Sequence, residues 1–394
     1  MPINIRDISP IEIGERLRVS RESSGITQEK AARSIGVART TLIAIEQGRR
    51  RARLDEIQQL AGVYGLNVNS VLRNEAVHVD LIPRFRKLHG GNVSTNQQAV
   101  RLLSSLARAE VELENLLGIQ RDTAPLPERR ILPGDVRTQA EANAAELRQH
   151  LGIGMGPIPD VATLLEIELG VRIYTRKLDA NISGLFAWED SLGPCILLNA
   201  IHPPSRRNQT IGHECGHLMS TRQQPEVLHS DDTPNSREER YAAAFGRAFL
   251  TPSRSVMHKF REITAGASQL TRRHVIMLSH FFRVSREAIT RRLEELELVK
   301  KGTWDWFQEN GGITNKQERQ VLGDRADESV NVSDSDSTTS LRLNLLAAEV
   351  YKRRLLSEGQ LANLLRIDRI ELRGLFDGLE IEEGEVDGIN NLLD

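Results

Sequence analysis

Apolar residues recur at helical spacing over the first 73 positions in four short runs: Ile13 and Leu17; Ala31, Ala32 and Ile35; Leu42 and Ile45; Ile57, Leu60 and Ala61. Each run gives one apolar face to a short helix. Gly25, Gly36, Gly48 and Gly65 stand between the runs, where helices end. The same spacing, through Val100, Leu103, Leu106, Val111, Leu113 and Leu117, predicts one long helix over 93–118. Pro125, Pro127 and Pro133 mark a linker, and a helical pattern returns over 135–151. A Pro-Asp start at 159–160 opens a further helix. Strand-like runs follow at 171–175, 184–188 and 195–199, the last two joined by a turn at 191–194 and so expected as a hairpin. Helical patterns then dominate 207–220, 236–250, 271–298 and 341–375. Residues 324–340 hold no large apolar residue beyond two valines and are expected as a flexible linker.

Composition changes this picture little. The 394 residues suffice for two or three cores. Hydrophobic residues make up 39% and charged residues 27%, as in an ordinary soluble chain. No run approaches the roughly 18 apolar residues that span a bilayer, and the first residues lack the apolar core of a signal peptide. These features lead to the expectation of a cytoplasmic protein with no membrane partner. Cys195 and Cys215 are too few for a disulfide framework. The net charge of −2 hides an asymmetry: residues 49–53 read Arg-Arg-Arg-Ala-Arg, whereas residues 377–394 hold seven acids and no base.

Two stretches carry chemistry. In the first, Thr27 can cap a helix that Gly36 ends, and a second helix then starts near Arg39. With Leu42 and Ile45 buried, the outward positions of that second helix are Arg39, Thr40 and Ala44. Such positions reach base edges in the major groove when two helices form a helix-turn-helix. A purely structural helical bundle would not need the basic run that follows. Over about residues 10–73 the chain resembles the Cro/phage-repressor (XRE) helix-turn-helix family. The resemblance implies that Gln28 touches the DNA backbone or a base and that Arg39 and Thr40 read bases. It implies phosphate contacts for Thr41 and the stretch around Arg49 and Arg50, and a partly buried ion pair between Arg21 and Glu46. Duplex DNA, as an operator, is the partner, and symmetric operators lead to the expectation of a homodimer.

The second stretch is His213-Glu214-Cys215-Gly216-His217. Residues four apart share a helix face, so His213 and His217 can hold one Zn²⁺ from the same side. Glu214, beside the first ligand, suits a general base acting on water. Two core histidines are the bland alternative, and a third ligand decides between them. An acid at the start of the Ala-rich helix at 237–250 suits that role, either Glu238 or Glu239; His229, Asp231 and Asp232 in the intervening loop are weaker rivals. Tyr241 and His202 are candidates for an oxyanion donor.

Residues about 155–300 resemble the ImmA/IrrE metallopeptidase family, on the His-Glu-x-Gly-His motif, the Ile196–Asn199 run, Arg206 and Arg207, and a Glu-x-x-Ala-x-x-Phe pattern ending at Pro252. The resemblance implies a zinc peptidase with Glu214 as catalytic base and Glu239 as the third metal ligand beside His213 and His217, Glu238 being the close alternative. Gly246, Phe249 and Thr251 depart from the family pattern at packing positions.

The fold class expected is mainly α with a small β-sheet. Its parts are an all-α helix-turn-helix domain at 1–75, a helical linker or dimerisation region at 76–152, and an α+β zincin-like metallopeptidase domain at 153–322. A linker at 323–340 and a small helical domain at 341–394 complete it. Residues 277–293 and 357–372 each look like a further helix-turn-helix fragment. Arg286, Arg291 and Arg292 are expected on the surface of the first of these, and the acidic tail favours a protein contact for 341–394. The function expected is a DNA-binding regulator whose zinc endopeptidase domain cleaves a repressor-type helix-turn-helix protein, or itself, after a stress or ligand signal. The alternatives are a transcription factor whose metal domain only senses, and a peptidase whose first domain recruits a protein substrate.

Overall fold

A computed structural model describes residues 9–64, 71, 81, 93–119, 126–189, 192–222, 226–229, 236–323 and 340–379. Residues 324–339 of the expected linker, the acidic tail beyond 379 and the loop acids Asp231 and Asp232 lie outside the described residues, as does the side chain of His229. The chain is mainly α with one small mixed sheet, as the periodicity implies. It divides into two compact units: residues 1–122 with 341–394, and residues 123–340. Residues 341–394 thus share a unit with the amino-terminal helices, where the sequence pattern sets them apart.

In the first unit, α1 (Pro10–Ser23), α2 (Gln28–Ser34), α3 (Arg39–Glu46) and α4 (Leu54–Tyr64) enclose a core of Ile13, Leu17, Ala31, Ala32, Leu42, Ile45, Ile57 and Leu60. Thr27 caps α2 by accepting from the Lys30 N–H at 3.2 Å. Gly36 ends the turn at φ 68°, a conformation glycine takes without strain. The long helix α5 (Val93–Leu117) buries the apolar stripe foreseen for it. Its cover comes from the same chain: α15 (Leu341–Lys352) and α16 (Glu358–Leu365) pack on it, and Arg342 reaches the buried Glu114 at 3.0 Å. The stripe is therefore accounted for without a second subunit. Helix α17 (Arg369–Gly378) follows α16.

The second unit begins with α6 (Val136–His150) and α7 (Val161–Glu168), the latter capped by Asp160. Strands β1 (Arg172–Arg176), β2 (Ile182–Glu189) and β3 (Gly193–Asn199) follow, with the expected β2–β3 hairpin. The sheet order is β1-β3-β2-β4, β1 running parallel to β3 and the other pairs antiparallel. Strand β4 (Glu226–His229), four residues long, gives no alternation for a sequence pattern to detect. Helices α8 (Pro204–Ser220) and α9 (Arg237–Leu250) form the centre of this unit with α6. The apolar pattern starts α8 three residues late, because Pro204 opens its first turn.

Beyond them lie α10 (Ser253–Ile263), α11 (Arg272–Phe282), α12 (Arg286–Glu295), α13 (Thr303–Glu309) and α14 (Asn315–Leu322). Ser285 caps α12: its hydroxyl accepts from the Ala288 N–H at 3.1 Å. The exposed arginines expected on α12 are a correction. Arg292 is buried, ion-paired with Glu141 and Glu295, and donates to the Thr251 carbonyl at 3.1 Å. Arg291 is held by Asp305, and Arg286 by Asn315 and Glu318. A helical-wheel reading counts an arginine as outward by default; here its partners come from other elements.

Candidate metal centre and nucleic-acid interface

The metal candidate grows out of one helix crossing. Helices α8 and α9 approach through residues that lack side-chain bulk. A Cβ on Gly216 would lie 2.6 Å from the Ala242 Cα, and one on Gly246 would lie 2.7 Å from the Gly212 carbonyl carbon. The pairs 212 with 246 and 216 with 242 step one turn along each helix in opposite directions. A further turn brings the carboxyl end of α8 beside the first turn of α9. That register explains Gly246, where the resembled family pattern has alanine: it sits on the backbone of Gly212. The other face of α9 is aromatic, with Tyr241, Phe245 and Phe249 stacked at 6.1 and 6.0 Å.

Ser236 caps α9 by accepting from the Glu239 N–H at 3.0 Å and so fixes its first turn. The Glu239 carboxylate then lies 3.3 Å from His213 Nε2 and 3.5 Å from His217 Nε2. The two imidazole nitrogens are 3.1 Å apart. One donor atom from each of the three residues falls within 4.8 Å of the others. Glu238 is not in this cluster.

The donor set fits a metal ion. Donors held at 2.0–2.1 Å around a tetrahedral zinc stand roughly 3.3 Å from one another, close to the three separations here. Unprotonated imidazole nitrogens and a carboxylate converging at such distances favour a shared cation. His217 Nδ1 meets Thr221 Oγ1 at 2.9 Å, one turn further on. With an ion on Nε2, Nδ1 would carry the proton and donate to that hydroxyl, which would fix ring and tautomer. Thr221 escaped the sequence reading, although a hydroxyl four residues past the second histidine was a usable signal. Phe186 of β2 stacks on the His217 ring at 6.5 Å, closing its apolar side.

Glu214 is fully buried on the same helix. Cys215 is buried too, and burial pushes its thiol up to about 12, so it remains protonated. Tyr241 is equally buried, and its hydroxyl accepts from Asn143 Nδ2 at 2.6 Å, joining α9 to α6. That bond gives it a structural place. Burial, with Arg206 and Arg207 nearby, lowers the pKa of His202.

The nucleic-acid candidate is exposed by contrast. Arg39 and Thr40 stand at the surface at the start of α3, with Thr41 and Ala44 half-buried beside them. The pair expected between Arg21 and Glu46 is present and buried, at 2.6 and 3.1 Å. Glu46 also accepts from Gln28 Nε2 at 3.0 Å, and the Gln28 carbonyl oxygen accepts from Arg39 at 3.4 Å. A buried carboxylate therefore orients the side chains at the start of both helices. Arg49 is exposed. Arg50 is held by the buried Glu56 at 2.9 and 3.0 Å, an arrangement the basic run alone did not reveal. Burial pushes Glu56 up, but the hydrogen bonds and charges of Arg50 and Arg53 outweigh it and hold the carboxyl below its ordinary range.

Among the described residues no helix is long and apolar enough to cross a membrane. Comparison with known families finds a helix-turn-helix domain at residues 12–73 and an IrrE N-terminal-like domain of the peptidase M78 type at residues 167–294. No curated protein matches the chain significantly. The second match contains the β-sheet, α8, α9 and all three clustered donors. One chain thus joins a DNA-binding helix-turn-helix domain to a metallopeptidase-family domain of the IrrE type.

Proposed function

We propose that this protein is a transcriptional regulator whose second domain is a zinc-dependent endopeptidase, acting on a repressor-type helix-turn-helix protein or on itself after a stress or ligand signal. The observation that carries the reading is the convergence of His213, His217 and Glu239, with Glu214 inside the same helix turn. The three clustered residues would hold the ion. Zinc, when bound, polarises a carbonyl and lowers the pKa of water. Glu214 takes a proton from the attacking water and returns it to the leaving amine. Thr221 keeps the His217 ring in one orientation through both transfers. The regulator reads an operator through Arg39, Thr40 and Ala44, with Gln28 on the backbone or a base and Thr41 and Arg49 on phosphates, while Arg50 is held by Glu56. It binds as a cytoplasmic homodimer, since symmetric sites are read in pairs.

The test is cleavage of helix-turn-helix regulators and of the chain itself by the wild type and by Glu214→Gln. The variant is expected to keep its metal and to lose 10²-fold or more of the rate, on the order of a general-base contribution. Metal in both proteins with cleavage by neither would favour the reading in which the domain only senses. Equal cleavage by both would remove Glu214 from the chemistry.

A further inference from the structure

The turn that joins α2 to α3, a left-handed residue three places before the next helix, also joins two later helix pairs. Adding 330 to each number maps α2–α3 onto α16–α17. Thr27 becomes Ser357, which caps α16 by accepting from the Gln360 N–H at 3.3 Å. Gly36 becomes Arg366, in the same left-handed conformation at φ 55°. The Val37 N–H donates to the Ala32 carbonyl at 3.0 Å, and the Ile367 N–H donates to the Ala362 carbonyl at 3.0 Å. The buried Ala31, Ala32 and Leu42 become the buried Leu361, Ala362 and Leu372. Adding 247 maps the pair onto α11–α12, with Arg283 at φ 54° and the Val284 N–H on the Ser279 carbonyl at 3.1 Å. All three pairs use this turn, a common helix ending in this structure, and each satisfies the same orphan carbonyl at the end of its first helix.

All three pairs place arginine at the first position of the second helix: Arg39, Arg369 and Arg286. The pairs differ in what surrounds it. Arg286 is consumed by Asn315 and Glu318, and the equivalent of Ile45 is the buried Arg292, so α12 offers nothing to a polyanion. Arg39 and Arg369 are both exposed. Arg369 lies over the start of α16, its Nη2 2.9 Å from where a Gly359 Cβ would be, as Arg39 lies over Gln28. Next to it Ile370 is 81% exposed at the place of Thr40. Arg373, on the same exposed face, pairs with Glu358 at 2.7 Å. That pair is exposed on the arginine side and worth little in water, so a phosphate can replace the carboxylate. Residues 341–378 carry seven Lys and Arg against five Asp and Glu, a net charge of +2 in a chain of net charge −2.

We propose that residues 341–378 are a second helix-turn-helix that binds duplex DNA through α17, with Arg369 and Arg373 on phosphate or guanine and Ile370 against a thymine methyl. An exposed isoleucine at a base-facing position has a natural counterpart in that methyl group. The acidic run from 377 onward favours a protein partner instead, and the test separates the two.

The full chain would carry Arg39→Ala and Arg49→Ala, which weaken the first helix-turn-helix. Its binding to a 30-bp duplex of random sequence would be followed by anisotropy between about 50 and 200 mM salt. Residual salt-dependent binding is expected. Adding Arg369→Gln and Arg373→Gln is expected to weaken it several-fold and to lower the slope of log K against log salt by about 0.9 for each phosphate no longer neutralised. Unchanged affinity and slope would overturn the proposal and leave α17 to a protein partner. Should the arginine variant melt early, Ile370→Ser, at a position too exposed to unfold the module, decides. The background protein is expected to prefer thymidine over deoxyuridine in an otherwise identical duplex, and the serine variant is expected to lose that preference. Equal binding of both duplexes before and after the change would count against the module as a DNA reader.

Discussion

Helix pairs α2–α3 and α8–α9 put their chemistry on opposite sides of their packing. In α2–α3 the small and apolar residues face inward, and Arg39 and Thr40 project into solvent. In α8–α9 the contact itself is the site: Gly212, Gly216 and Gly246 bring two backbones together, and the imidazoles and the carboxylate meet at one end of the crossing. A surface reader can change its outward residues without touching its core. A centre built on a helix crossing binds its functional geometry to its packing, so the two cannot vary independently.

The two helix pairs differ most in what their glycines tolerate. Gly216→Val places bulk where a Cβ already stands 2.6 Å from the Ala242 Cα. Overpacking of this kind costs about 1–3 kcal/mol, and the displacement separates Glu239 from the histidines. The expected outcome is a lower melting temperature and no bound zinc. Gly36→Ala meets open space, and its penalty is the left-handed backbone alone, about 1–2 kcal/mol. Duplex binding is expected to survive. Should Gly216→Val keep full metal content, the crossing would not be what sets the site.

Thr221→Val acts on the metal centre through a neighbour. Losing the hydrogen bond to His217 Nδ1 is expected to weaken zinc binding by about 10–100-fold, as for other groups that orient a ligand. Competition with a chromogenic chelator would measure it, and serine at 221 should restore the affinity. A valine variant that binds zinc as tightly as the wild type would reduce Thr221 to a helix cap. Arg39→Ala is expected to cost about 1–3 kcal/mol of discrimination between operator and random duplex, without change in metal content. Equal loss on both duplexes would make Arg39 a phosphate contact and not a base reader.

Much of this was legible in the residue order, for reasons that differ from site to site. His213, Glu214 and His217 lie within one helical repeat, so spacing alone put the two imidazoles on a common face. Thr27, Gly36 and Leu42 are local signals of the same kind. Glu239 needed more, because it lies 26 residues beyond His213 and its place follows from the register of two helices, and spacing left it level with Glu238. The resemblance to a known family selected it, and the crossing at Gly216 and Gly246 supplies the physical reason. What stayed hidden was partnership at long range. Arg292 reads as a surface residue until Glu141 is brought against it, and Arg50 reads as a phosphate contact until the buried Glu56 is seen to hold it. The likeness at offset 330 was visible only as a fragment at 357–372, because alanine, glycine and threonine in one pair become leucine, arginine and isoleucine in the other.

The most direct test of the account is the metal itself. The purified full chain and the single variants His213→Ala, His217→Ala and Glu239→Gln would be stripped, titrated with zinc and analysed by calorimetry and elemental content. One tightly bound ion per wild-type chain is expected, and at least roughly a hundredfold weaker binding in each variant, with helix-turn-helix binding to duplex DNA retained. A wild type that takes up no zinc, or a Glu239→Gln variant that holds it as tightly as the wild type, would contradict this site assignment.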